Sequence, residues 1–246
     1  MQVAEEGADI TAQVLAKMRA LPDKRLTRIT VQGAPYFVKM AEHHDSLRLR
    51  LFKGDPQVAF DREVGLLQTF AQRGASVARI IAQDSSRVAL QDHGTPVQAL
   101  IYDHQADPVL MRRLGAALAD LHALGLAHGR PSLRDICWDG ENVTFLDLEA
   151  GAKLNAQPQD QARDLYLMLH SVFTTDGPES VFAAPALDSY RAHGSAQVWT
   201  ATQALARRLW WIDLVSRPVV WIHRLRHKMR SEFAAIKAAR QLILRG

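Results

Sequence analysis

Apolar residues recur along this chain with two alternating periods, and the alternation divides it into segments. Ile10, Val14, Met18 and Leu21 fall three to four apart behind Asp9, which predicts an amphipathic helix over about residues 9–20. Leu26–Val31 and Tyr36–Met40 are β-branched and aromatic runs around Gln32-Gly33-Ala34-Pro35, which predicts two strands joined by a turn. Phe60, Val64, Leu67 and Phe70 return to the helical period. Val77–Ile81 and Val88–Leu90 predict two more short strands, followed by the turn-rich run Gln91–Pro96. Leu110, Leu114, Leu118 and Leu121 predict a helix that stops at Gly125. Ile136–Trp138 and Val143–Leu146 flank Asp139-Gly140, a strong hairpin signal. Leu165, Leu169 and Val172 place a buried helix at 162–173, and beyond Pro178 the pattern is helical.

Three polar residues stand against this pattern. Lys39 lies inside the second strand, on the same face as Phe37; alone, such a lysine is most simply an edge residue reaching water. Glu63 falls within the apolar stripe of its helix, where a carboxylate is costly unless a cation meets it, and Lys39 is the cation at hand. The hairpin register sets Asp135 beside Leu146, so Asp135 and Asp147 arrive together at its open end. Two carboxylates there repel unless a cation or base separates them, which makes a metal-site hypothesis. Strict strand alternation would put them on opposite faces, so at least one must sit in irregular backbone.

The order helix, His128-Gly129, loop, hairpin, Asp147-x-Glu149 resembles the catalytic and metal-binding segment of the protein-kinase-like fold. Its nearest likeness is to bacterial lipopolysaccharide core (heptose or Kdo) kinases and aminoglycoside-kinase-like proteins. The resemblance spans about residues 26–173 and implies an α+β, bilobal fold with a small antiparallel-sheet N-lobe and a mainly helical C-lobe. It implies an N-terminal helix over 1–25, an N-lobe over 26–98 with a hinge in the Gln91–Pro96 region, and a C-lobe over 99–246. ATP and Mg²⁺ would be the cofactors. Lys39 would hold phosphate oxygens, Glu63 would orient Lys39, and Asp135 and Asp147 would hold the metal. His128 and Asp164 would support the loop backbone, although Asp164 reads equally well as a first-turn helix acid. Asp135 stands where the family has Asn, and Arg130 stands where it has the catalytic Asp. No G-x-G-x-x-G precedes Lys39, and Leu47–Phe60 is a long connection between the Lys strand and the Glu helix.

Two functions follow from that departure. One is phosphotransfer to a hydroxyl, of an envelope sugar or glycolipid, with Arg130 on a phosphoryl or anionic group and Asp135 taking the proton. The other is a pseudokinase, since a guanidinium cannot act as a base at ordinary pH. A nucleic-acid or membrane-surface binder acting through the basic tail ranks third, and no nucleic-acid partner is expected.

Composition narrows the setting. At 246 residues with 48% hydrophobic and 23% charged content, the chain is an ordinary globular protein. Cys137 is the single cysteine, which excludes a disulfide framework and fits a reducing compartment. The acidic start shows no signal-peptide pattern, and no apolar run suffices to cross a bilayer, so a cytoplasmic location is expected. The net charge of +4 is mild, but basic residues crowd the tail. Arg224, Arg226, Lys228, Arg230, Lys237, Arg240 and Arg245 alternate with Leu225, Met229, Phe233, Ile236 and Leu242 as a basic amphipathic helix. It is read as docked by its apolar side, with peripheral contact at the inner membrane as the alternative. Trp199, Trp210, Trp211 and Trp221 are read as core and packing aromatics. His223 and His227 are read as solvated, since no third ligand accompanies them.

Overall fold

In a computed structural model of the chain, residues 2–41, 55–148, 151–212 and 232–246 are described. The Leu47–Phe60 connection up to residue 54, Trp221, His223, His227 and the tail's basic residues 217–230 lie outside them. The chain forms two compact units: residues 1–73 with 77–93, and residues 74–76 with 94–246.

The first unit is a four-stranded antiparallel sheet with helices on both faces. Helix α1 (Gln2–Arg19) precedes β1 (Leu26–Val31) and β2 (Ala34–Met40); α2 (Pro56–Gln72) precedes β3 (Ile80–Gln83) and β4 (Arg87–Gln91). The strand order is β1-β2-β4-β3. Gln32 and Gly33 both have positive φ (50° and 81°), so they make a two-residue hairpin turn, shorter than the four-residue connection expected. Strand β2 buries Tyr36 and Val38 in one cluster with Val14 and Met18 of α1. Val88 and Ala41 pack with Phe60 and Val64 of α2 in another. Because Lys39 pairs with Val88 across the ladder, it lies on the α2 side. Helix α1 begins about seven residues earlier than its apolar stripe, whose Val14 and Met18 are fully buried.

The second unit carries a short sheet and a helical body. Its strands are β5 (Thr95–Pro96), β6 (Ile136–Trp138) and β7 (Val143–Phe145), in that order. Its helices are α3 (Val97–Tyr102), α4 (Pro108–Ala123), α5 (Pro158–Asp176), α6 (Ala183–His193), α7 (Ala196–Arg208) and α8 (Glu232–Arg245). Pro108 and Pro158 occupy first-turn positions of α4 and α5, where the missing N–H costs nothing. Asp107 caps α4 by accepting the N–H of Leu110 at 2.8 Å. Gly115 lets α4 and α6 touch backbone to backbone, since a Cβ there would stand 2.0 Å from the Ala186 carbonyl oxygen. Helix α8 docks, but through Ala235, Ala239 and Ile243 and not through the stripe read from the sequence, whose Phe233 is exposed; Arg240 Nε donates to Ala206 O, and Tyr166 Oη donates to Ile236 O.

The tryptophans differ from expectation. Trp210 and Trp211 are 60% and 50% exposed, not core residues. Helix α7 points Val198, Thr202 and Ala206 inward, and the two tryptophans follow its last turn on the outer side. Trp199 is half-buried under the Arg191 guanidinium, 4.7 Å from the ring centre.

Candidate active site

In the first unit, Lys39 Nζ donates to both carboxylate oxygens of Glu63, at 2.6 and 2.7 Å. The side chains are 22% and 15% exposed, so the pair is half-buried at the margin of the α2 stripe. This is the pairing that a strand lysine and a stripe carboxylate predicted. A two-pronged contact fixes the ammonium better than a single one while leaving the site open to water.

In the second unit, the loop after α4 is held by one carboxylate. Asp164, on α5 and wholly buried, accepts the backbone N–H of His128 at 2.5 Å and of Gly129 at 2.9 Å. The position that sequence left balanced between a helix-dipole acid and a loop anchor is thus a loop anchor. Around it, His122 Nε2 lies 3.5 Å from Asp164, and His122 Nδ1 meets Tyr190 Oη at 2.6 Å. Burial, followed by the nearby Asp164 charge, pushes the Tyr190 phenol well above its usual range, so it stays neutral. Gln161 donates to His122 O and Leu126 O at 2.7 and 3.2 Å, bracing the chain entering the loop.

Glycine is required at 129. Its φ is +93°, and a Cβ there would stand 2.2 Å from the Gly151 carbonyl carbon. His128 is buried, with Nε2 2.8 Å from Leu146 O. A carbonyl only accepts, so Nε2 carries the proton. Burial lowers the His128 pKa against the opposing pull of Asp164, and the ring is neutral near pH 7.

The hairpin resolves the carboxylate geometry. Ile136 pairs with Phe145, and Leu146 N donates to Asp135 O at 2.8 Å, the register read from the sequence. Asp135 closes a short 3₁₀ turn (Leu133–Asp135), and Asp147 takes the left-handed conformation with φ +55°. Asp tolerates that region better than most residues. Both acids have therefore left the ladder, and both line one cavity of about 160 Å³ with His128, Gly129, Arg130, Gly151 and Arg163. Burial, reinforced by the Asp147 charge, raises the Asp135 carboxyl above its ordinary value, against the pull of Arg134, whose Nε donates at 3.1 Å.

This donor set fits Mg²⁺. Both carboxylates are hard oxygen donors, and a divalent cation would relieve the repulsion between them. Among the described residues no cluster of three or more acidic, His or Cys side chains forms a closed metal cage. Mg²⁺ commonly binds through one or two carboxylates, keeping water and phosphate oxygens as its other ligands. Arg130 is exposed at the rim of the same cavity. Sequence reasoning did not assign a role to Arg163, Gly151, Gln161 or Tyr190; none shows a local signal, since each is brought in by contacts distant in sequence.

No family model matches the chain. It is 27% identical over 222 residues to an uncharacterized protein of Haemophilus influenzae, covering 89% of this chain and 90% of that one. Among solved structures it is similar to WaaP in complex with acyl carrier protein (16% identity, 89% of this chain and 93% of that chain, TM-score 0.49). It is also similar to a divergent kinase lacking the glycine-rich loop, which regulates membrane ultrastructure of the Toxoplasma parasitophorous vacuole (13% identity, 77% and 88%, TM-score 0.46). The α+β architecture is the one expected. Along the chain, the Lys strand, Glu helix, His-Gly loop, hairpin, Asp147 and loop-anchoring Asp164 follow one another in the order read from the sequence.

Proposed function

We propose that this chain is an ATP- and Mg²⁺-dependent phosphotransferase acting on a hydroxyl of an envelope sugar or glycolipid, working in the cytoplasm against the inner membrane. The observation that carries the reading is the cavity holding Asp135, Asp147 and Arg130 on backbone anchored by Asp164. Asp147 and Asp135 would hold Mg²⁺, which when bound neutralises charge on the phosphate oxygens. Lys39, oriented by Glu63, would hold further phosphate oxygens. The acceptor hydroxyl forms the new O–P bond as the bond between the γ-phosphorus and its bridging oxygen breaks, releasing ADP. Asp135 would take the hydroxyl proton. Arg130 would place its planar guanidinium on phosphoryl oxygens or on an anionic acceptor.

A second reading, a nucleotide-binding pseudokinase, is favoured by one observation: Arg130, at the position where the sequence resemblance implies a catalytic Asp, lines the cavity. Calorimetry with ATP, with and without Mg²⁺, tests the part common to both. Binding that requires Mg²⁺ and is lost in Asp147→Ala supports it; equal affinity in wild type and variant removes Asp147 from the site.

A further inference from the structure

Helix α8 packs Ala235, Ala239 and Ile243 on α5 and α7, so that face is not available to a lipid surface. At the end of α7, two exposed aromatic residues stand beside two exposed cations. Arg207 and Arg208 form its last turn, and Trp210 and Trp211, 60% and 50% exposed, follow at once.

We propose that Arg207, Arg208, Trp210 and Trp211 form a peripheral docking surface for an anionic bilayer. Three observations support a membrane over other occupants. Tryptophan is the residue whose ring sits best at the headgroup level, with its apolar body in the acyl boundary and its N–H in the wet layer. The adjoining guanidiniums match anionic headgroups, and exposed arginines beside such a surface strengthen attachment by about fivefold each. Along the sequence the charge is mainly positive: from 207 to 230 there are seven Arg or Lys residues against the single acid Asp213. No helix among the described residues is long and apolar enough to cross a membrane, so this is a surface contact and not a span. The inference stands apart from the phosphotransfer reading, because it needs neither nucleotide nor turnover, though it would bring such an enzyme to a lipid-anchored acceptor.

The test is co-sedimentation of the full chain with phosphatidylcholine vesicles, with and without a phosphatidylglycerol fraction, alongside Trp fluorescence with brominated lipid as quencher. The expected result is binding to the anionic vesicles, lowered by added salt. Trp210→Ala/Trp211→Ala should weaken it by about tenfold or more, and Trp210→Phe/Trp211→Phe should retain most of it but lose most of the quenching. Arg207→Gln/Arg208→Gln should weaken it by about 25-fold. Because all four side chains are exposed, the variants should melt with the wild type, and a melting scan confirms that each is folded. No sedimentation of the wild type overturns the proposal. So does equal binding by the Trp→Ala variant, which would place the contact elsewhere in the tail. Ultracentrifugation without lipid showing a dimer that Trp210→Ala/Trp211→Ala dissolves would assign the patch to a second copy, and would overturn it too.

Discussion

Asp164 and Gly129 are joined by a 2.9 Å hydrogen bond from loop backbone to a fully buried carboxylate, and the same carboxylate holds His128. That one side chain fixes the backbone just before Arg130, at the rim of the cavity. Asp164→Ala would leave two buried N–H groups without an acceptor, at about 1–3 kcal/mol each before relaxation. We expect a loss of about 2–4 kcal/mol in urea unfolding, with Asp164→Asn milder because it keeps one acceptor oxygen. A change under about 0.5 kcal/mol for the alanine variant would contradict the anchoring role.

Gly129→Ala should damage the same loop by a different route. The added Cβ meets Gly151 backbone and not a yielding side chain, and φ is +93°. A destabilisation above about 1 kcal/mol is expected. Gly140→Ala, also at positive φ (+106°) but with open space around it, should cost less; equal losses would show that packing against Gly151 is not the cause.

Lys39 and Glu63 should be energetically coupled. Each is partly exposed, so a double-mutant cycle with Lys39→Met and Glu63→Gln is expected to give about 1 kcal/mol, the upper end for solvent-accessible pairs. Lys39→Met should also weaken Mg-ATP binding in calorimetry. Unchanged affinity would assign the pair to structure alone.

Much of this arrangement was legible in the residues. Lys39 and Glu63 could be paired because a carboxylate within the apolar stripe of its helix demanded a cation, and Lys39 was the one at hand. The hairpin register followed from Asp139-Gly140, and with it the meeting of Asp135 and Asp147. What the sequence hid was set by tertiary contact. Strand β5 is only two residues long, paired to Trp138 and Cys137, and carries no alternation to read. The support of Asp164 comes from His122 on α4 and Tyr190 on α6, which share no local pattern. Trp210 and Trp211 read as core because aromatic residues usually are, yet they follow the end of α7 as exposed residues.

Acid should destabilise the protein partly through His128. Its pKa is lowered in the folded state, so its contribution is fully present above the ordinary value of 6.5 and is lost as pH falls toward the folded value. The unfolded chain takes up the proton first. His128→Gln should therefore flatten the stability profile below about pH 6.5. An unchanged slope in denaturation at stepped pH would show that the ring is not buried as described.

Asp135 carries the opposite sign. Its folded pKa is raised, so the contribution is present below the ordinary 3.8 and is lost as pH rises through the folded value. At neutral pH the unloaded protein bears the cost of a charged, half-buried carboxylate beside Asp147. Asp135→Asn should raise the melting temperature without Mg-ATP and reduce the gain when Mg-ATP is added. A lower melting temperature for the unloaded variant would contradict the electrostatic account.

The most direct test of the whole account is transfer of radiolabelled γ-phosphate from ATP to purified inner-core lipopolysaccharide and its sugar fragments, comparing wild type, Asp147→Ala and Arg130→Asp. The phosphotransferase reading predicts Mg²⁺-dependent label on a sugar hydroxyl with the wild type, and a loss of at least about 100-fold in Asp147→Ala. Label appearing only with Arg130→Asp would mark the native chain as a pseudokinase. Equal transfer by wild type and Asp147→Ala, or no ATP binding by the wild type, would contradict the account.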